Sequence, residues 1–296
     1  MGRGVRAMAE AEVVLECRNR LGEGPIWDGR AQALWWVDIT APAIHRFHPS
    51  SGEHRHWAMP EHVGSLSVRE QGGLVVAFKR GFGTFDPGSG ATLMLDPCEA
   101  ALTANRFNDG RCDRAGRFWA GSLTYSEDRP HGTLWRLEAD HCAHKVLDGI
   151  TVPNGLCWSP DDRTMYFTDT PTREILAYDF DLASGTPSNP RLFAKVDGPG
   201  WPDGAITDSE GFLWSGEWDG ARVVRYAPDG TIDRVVEVPA RRATCCAFGG
   251  PDLTTLYITS AWDRMSDAER AEWPLSGHLF AYDAGVRGLP DPRYQG

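Results

Sequence analysis

The chain lacks a positive cluster, a disulfide-type cysteine pattern, a long apolar run and a clear helical periodicity. Each absence excludes something. Its 296 residues carry 30 Lys and Arg against 41 Asp and Glu, a formal net charge of −11. Basic neighbours are confined to pairs such as Lys79-Arg80 and Arg241-Arg242. Nucleic acid and anionic membrane surfaces both demand a positive footprint, so neither is an expected partner. The seven cysteines are odd in number and form no Cys-x-x-Cys pair. They read as reduced thiols, which points to the cytoplasm. No apolar run approaches a membrane span, and Met1 to Glu10 has no apolar signal-peptide core. Also missing are a Gly-x-Ser-x-Gly nucleophile elbow, a Walker loop and a dinucleotide-type Gly-x-Gly-x-x-Gly. The nine histidines make no zinc pattern, and His45, His48, His54 and His56 read as solvated residues of an outer hairpin.

What is present is turn chemistry between short apolar segments. The 33 Gly and 20 Pro separate brief runs of Val, Ile, Leu and aromatic residues, as in an all-β protein. Only Ala268 to Trp273 reads as a turn or two of helix. The organising stretch is Asn105-Arg106-Phe107-Asn108-Asp109-Gly110, followed by an Asp113-x-x-Gly116 turn into Phe118-Trp119. The same strand, turn and strand recurs six times, each time followed by a second hairpin. Four strands per unit, at a period of 41 to 49 residues, predict a six-bladed β-propeller with four-stranded blades. The sixth unit ends one strand short, with only Gly- and Pro-rich sequence left. Glu12 to Cys17 has no hairpin partner and is predicted to supply the missing outer strand, closing the ring. Residues 1–10 read as a disordered tail and residues 11–296 as one propeller domain. Two packed β-sandwiches are the alternative, but sandwich strands need not repeat at this period.

The first strand of each propeller blade lines the channel, so equivalent residues converge on the axis. Counting back five residues from each turn gives Glu23, Ser65, Asn108, Asn154, Asp203 and Thr244, spaced by 42, 43, 46, 49 and 41. All six are polar although they enter apolar strands. Water satisfies such a ring in one reading, and in the other its two carboxylates and two amides bind a hard cation such as Ca²⁺ or Mg²⁺. The second strands run back to the same mouth and end at Asp38, Lys79-Arg80, Ser126-Glu127, Asp169, Glu217-Trp218 and Trp262-Asp263. Tryptophan faces among polar groups suit a polyhydroxylated ligand.

Several motifs at matched register resemble the senescence marker protein (regucalcin), gluconolactonase and luciferin-regenerating enzyme family. They are Leu21-Gly22-Glu23-Gly24-Pro25-Ile26-Trp27, Asn105 to Gly110, Pro153-Asn154-Gly155-Leu156, Pro202-Asp203-Gly204 with Asp208 to Trp214, and the closing Phe248-Gly249-Gly250 and Leu256-Tyr257-Ile258-Thr259. The resemblance implies a six-bladed propeller that hydrolyses a pentono- or hexonolactone to its aldonic acid. It implies one divalent metal (Ca, Zn, Mg, Mn or Fe) on Glu23, Asn154 and Asp203, with Asp203 as the catalytic base. It further implies substrate contacts from Arg106 and Asn108. An acidic substrate contact falls near Ser126-Glu127, where the ungapped match is Ser126 and Glu127 lies one residue on. Trp218 completes the expected substrate-binding set. The expected partner is a small sugar lactone, with no obligate protein partner. The alternatives are a non-catalytic calcium-binding or scaffold propeller and a propeller esterase or phosphotriesterase.

Overall fold

The computed structural model describes residues 9–296 as six blades of four antiparallel strands, one of them extended by a short fifth strand, arranged around a channel. Their innermost strands are Gly22–Asp28, Val63–Val68, Asn105–Cys112, Pro153–Trp158, Trp201–Thr207 and Arg242–Gly249. Each packs against the next, and the sixth packs against the first, so the ring is closed. We number the blades 1 to 6 in that order. Blade 6 is completed by Glu12–Leu15, which pairs antiparallel with Leu279–Asp283 as its outer strand. This is the predicted closure. Ala9–Glu10 goes further and pairs in parallel with Val236 and Glu237 of blade 5, so the last part of the expected tail is strand. Residues 1–8 of that tail lie outside the described residues.

The repeat has a physical basis in its turn. In blade 3 the Asp113 carboxylate accepts the Trp119 indole N–H at 2.9 Å and the Arg117 backbone N–H at 3.1 Å. In blade 5 Asp208 accepts the Trp214 indole at 2.9 Å and the Phe212 N–H at 3.0 Å. An aspartate opening the turn and a tryptophan six residues on thus clamp one hairpin, satisfying polar groups that burial would otherwise strand. Apolar side chains of adjoining blades fill the space between sheets. Trp36, Trp119 and Trp214 are wholly buried there. The short helix, Asp267–Glu272, starts one residue before the expected segment and is held by a Ser266–Glu269 capping box.

Of the first-blade histidines, His56 is exposed and His48 and His54 are half-buried, but His45 differs from its expected solvated state. His45 is buried, stacked on Trp36 at 4.9 Å and on His54 at 5.3 Å. Trp36 donates its indole N–H to Asn19 Oδ1, which turns the Asn19 amide N–H toward His45 Nε2 at 3.0 Å. His45 Nε2 must accept, so its proton sits on Nδ1 and is donated to His54 Nε2 at 3.0 Å. Burial, and then the two neighbouring histidines, push His45 down to about 3 and keep it neutral.

The C-terminal segment covers the channel end away from the starts of the inner strands. Gly288 bridges to Asp208, Asp291 accepts the Trp27 N–H at 2.8 Å, and Tyr294 bridges to Arg69. Asp291 also forms a buried ion pair with Arg111 of the blade 3 inner strand at 2.7 Å. The Gly/Pro-rich tail therefore touches blades 1, 2, 3 and 5 and leaves the other mouth as the open one.

Candidate functional site

Every inner strand breaks register with its neighbour at the ring position. The shifts fall between Glu23 and Ile26, Val63 and Ser65, Phe107 and Gly110, Asn154 and Cys157, Pro202 and Ala205, and Ala243 and Cys246. In each case the inner strand holds one extra residue. Such a bulge re-aims a side chain that regular pleating would turn into a blade interface. Gly24 and Gly155 follow Glu23 and Asn154 because the backbone there is left-handed, with φ of 54° and 65°. Gly204 follows Asp203 for a different reason. A Cβ there would lie 2.3 Å from Cys245 Sγ.

The result is a cleft of about 330 Å³ at the open mouth, near the lower end of the roughly 300–1,000 Å³ usual for small-molecule sites. Glu23, Asn108, Asn154 and Asp203 reach it from four blades, and Arg106, Glu127 and Trp218 join them. Ser65 and Thr244 do not line it. Thr244 donates its hydroxyl to Gly22 O at 2.6 Å, and Ser65 Oγ is buried without a partner. Ser126 also stays out, facing an outer groove beside Thr124 and Asp128. Of the Ser126-Glu127 pair, Glu127 is the residue in the cleft. Trp262 contributes no wall; its place is taken by Trp201. Trp201 stands two residues before Asp203, and that proximity was the available signal. Thr170, Asp219 and Arg264 are further lining residues that the repeat pattern does not mark.

One directed chain of hydrogen bonds orders the polar groups. Arg106 Nη1 donates to Asn108 Oδ1 at 2.7 Å, and Asn108 Nδ2 donates to Asn154 Oδ1 at 2.9 Å. Asn154 Nδ2 donates to Thr170 Oγ1 at 2.8 Å, and Thr170 donates to Pro202 O at 2.9 Å. A guanidinium only donates and a carbonyl only accepts, so both amide orientations follow from the ends of the chain. Arg106 is buried and pairs with Glu127 at 3.2 Å, not with Asp109. Burial, followed by Arg264 opposing the pull of Glu127, lowers its proton affinity.

The carboxylates at the base are in the opposite condition. Glu23 and Asp203 are each about 95% shielded, and neither has a Lys or Arg ion-pair partner among the described residues. Glu23 Oε2 accepts only the adjacent Gly24 N–H, at 3.2 Å. Burial, then the charge of Asp109, pushes Glu23 up to about 8. Burial, then Glu23 and Asp109, raises Asp203 well above the usual carboxylate range. Uncompensated buried carboxylates are costly. Two of them beside an amide oxygen form the donor set that a hard divalent cation satisfies, so the residues fit such an ion. The set has only two acidic side chains, and among the described residues no three His, Cys, Asp or Glu converge.

Comparison with known proteins places the architecture and the motifs together. The sequence profile of the SMP-30/gluconolactonase/LRE-like region matches residues 21–262. The chain belongs to that family. It is 43% identical over 278 residues to a 6-deoxy-6-sulfogluconolactonase of Pseudomonas putida, covering 93% of this chain and 95% of the relative. It is 34% identical to a pentonolactonase of Haloferax volcanii, covering 95% and 96%. The crystal structure of a calcium-binding protein, regucalcin, from Agrobacterium tumefaciens superposes with a TM-score of 0.94 at 29% identity, covering 98% of this chain and all of that one. No helix among the described residues is long and apolar enough to cross a membrane.

Proposed function

We propose that the protein is a metal-dependent lactone hydrolase acting on a sugar aldonolactone, pentono or hexono, to give the aldonic acid. The observation that carries this is the meeting of Glu23, Asn154 and Asp203 with Arg106 and Asn108 in one cleft. The lactonase relatives support the reaction class. A divalent cation on Glu23, Asn154 and Asp203 supplies Lewis acidity toward an ester carbonyl.

The protein's own groups supply the rest. Trp201 and Trp218 offer ring faces to the C–H side of the sugar. Asn108 and Glu127 hydrogen-bond hydroxyls and hold the lactone ring in one pose, which lowers the entropic part of the barrier. Arg106, fixed at both ends by Asn108 and Glu127, offsets negative charge that develops as water adds to the carbonyl carbon. Asp203 takes the proton from that water. The bond from the carbonyl carbon to the ring oxygen then breaks, and the proton passes to the departing oxygen. The product acid ionises at neutral pH and releases one proton per turnover.

A pH-stat assay tests this directly. Aldono-1,4- and 1,5-lactones of five and six carbons are offered to cation-loaded protein, and acid release is compared with spontaneous opening. Hydrolysis far above the spontaneous rate is the expected result. Acceleration of none of them, by protein that holds its cation, favours the binding-module reading.

A further inference from the structure

The rim of the cleft is charged differently from its base. Blades 3 and 6 stand opposite each other in a ring of six, so a contact between their top loops crosses the mouth. Glu127 lies in the loop after Phe118–Thr124, and Arg264 in the loop after Thr255–Ala261. They meet in a two-pronged ion pair, Nη1 to Oε2 at 2.8 Å and Nη2 to Oε1 at 2.7 Å. Both residues hold left-handed backbones, with φ of 53° and 59°. Arg106 reaches the same Glu127 carboxylate from below. The two guanidiniums differ in access. The Arg106 side chain is 6% exposed and that of Arg264 56%.

The other rim carboxylates are already matched. Asp219 takes Arg241 at 2.9 Å and Arg242 at 2.8 Å. Asp263 takes Arg20 at 2.6 Å and, more loosely, Arg264 at 3.7 Å. Glu269 takes Arg241. Five guanidiniums, including Arg106 and Arg264, therefore face four carboxylates. Within this network guanidiniums outnumber carboxylates by one, and Arg264 is the most exposed of the five. At the base, a divalent cation balances Glu23 and Asp203. The cation would offset carboxylate charge at the floor, while Arg264 presents an accessible guanidinium at the lip.

We propose that the substrate is an aldonolactone carrying an anionic group, a sulfonate, phosphate or carboxylate, at the end of its carbon chain remote from the lactone carbonyl, and that Arg264 reads that group. The proposal rests on the lactonase reading above, which puts the carbonyl at the floor and directs the far end of the chain to the lip. Arg264 is free to turn because Arg106 stays on Glu127, so the exchange leaves no bare buried carboxylate. Its planar fork suits an oxyanion with two or more oxygens. The contact sets specificity and does not touch the reacting bond.

The test uses the cation-loaded full chain with matched six-carbon lactones: unsubstituted, 6-sulfo, 6-phospho and 6-carboxylate. The expected result is a kcat/KM at least ten-fold higher for one or more of the anionic lactones, with the three arms ranking the oxyanions. Arg264→Met should erase that preference through KM, leave kcat within about two-fold, and change the unsubstituted lactone by less than three-fold. Arg264→Lys should restore part of the preference. Equal rates on neutral and anionic lactones, or an equal loss on both in Arg264→Met with an unchanged melting curve, overturns the proposal while the lactonase reading stands. Failure to hydrolyse any of the four overturns the lactonase reading and the proposal with it.

Discussion

Stripping the cation from the base of the cleft should leave a protein that loses stability between pH 6.5 and 8. Glu23 is pushed from the ordinary 4.5 up to about 8, so the folded chain keeps a proton that the unfolded chain has already lost. Stability falls with rising pH wherever the folded state binds more protons. The buried histidines act the other way at lower pH. His45, held down to about 3, makes stability rise with pH until the unfolded imidazole loses its proton near 6.5. His54, His62 and His278 are shifted in the same downward direction. The exposed aspartates that sit below their usual range, such as Asp179 and Asp229, have given up their pH dependence well before this window. Through the first pH unit above 6.5 the histidine contribution fades, and Asp203, Asp109 and the buried thiols, all raised by burial, shift in the same direction as Glu23. At roughly 1.4 kcal/mol per pH unit, Glu23 contributes a loss of about 2 kcal/mol over the window. For a domain of this size, at about 2 cal/mol/K of unfolding entropy per residue, that is a fall in melting temperature of roughly 3 °C. Differential scanning calorimetry of chelated protein at pH 6.5, 7.25 and 8 measures it. Glu23→Gln should lessen the slope, and a saturating divalent cation should lessen it too by pairing the ionised carboxylates. A chelated wild type whose melting temperature holds or rises from pH 6.5 to 8 would show that Glu23 does not hold a proton in the folded chain.

Three further changes probe separate parts of the account. Asp203→Asn should keep the fold and lower kcat by about 10²–10⁴, the usual worth of a positioned general base, read by pH-stat on protein whose cation content is measured. Thr170→Val removes the group that fixes the Asn154 amide, so titration calorimetry should show cation affinity falling roughly ten-fold or more, with Thr170→Ser restoring it. Asp291→Leu leaves Arg111 buried without its carboxylate at the closed end of the channel, so urea unfolding should show a loss of about 3–5 kcal/mol while turnover per folded molecule is unchanged.

The parts legible in the sequence are those that repeat. The six-blade period, the closing strand at Glu12–Leu15 and the convergence of Glu23, Asn108, Asn154 and Asp203 all follow from register, because a bulge recurs at the same place in every inner strand. Features without a repeat were not legible. Arg264 sits in a blade 6 loop with no counterpart in the other units, and its partner Glu127 is 137 residues away. Neither spacing nor period ties the two together. Only the ring, by setting blades 3 and 6 face to face, does so. The tail was similar. Gly- and Pro-rich composition marks it as irregular, yet Asp291 reaches Arg111 across 180 residues. At His45 the polarity of the flanking residues masks the strand alternation that turns the imidazole inward. Its neighbour Trp36 needed a flat partner, and a neutral imidazole stacks there without an unpaired charge. Ser126 and Glu127 show the limit of counting along a loop, where one residue decides which side chain enters the cleft.

The most direct test of the central claim is activity against cation occupancy. Stripped protein is titrated with Ca²⁺, Mg²⁺, Mn²⁺ or Zn²⁺ while lactone hydrolysis and bound metal are followed together. The expected rate rises in proportion to occupancy and levels at one ion per chain. Full lactonase activity in protein shown to hold no cation would contradict it.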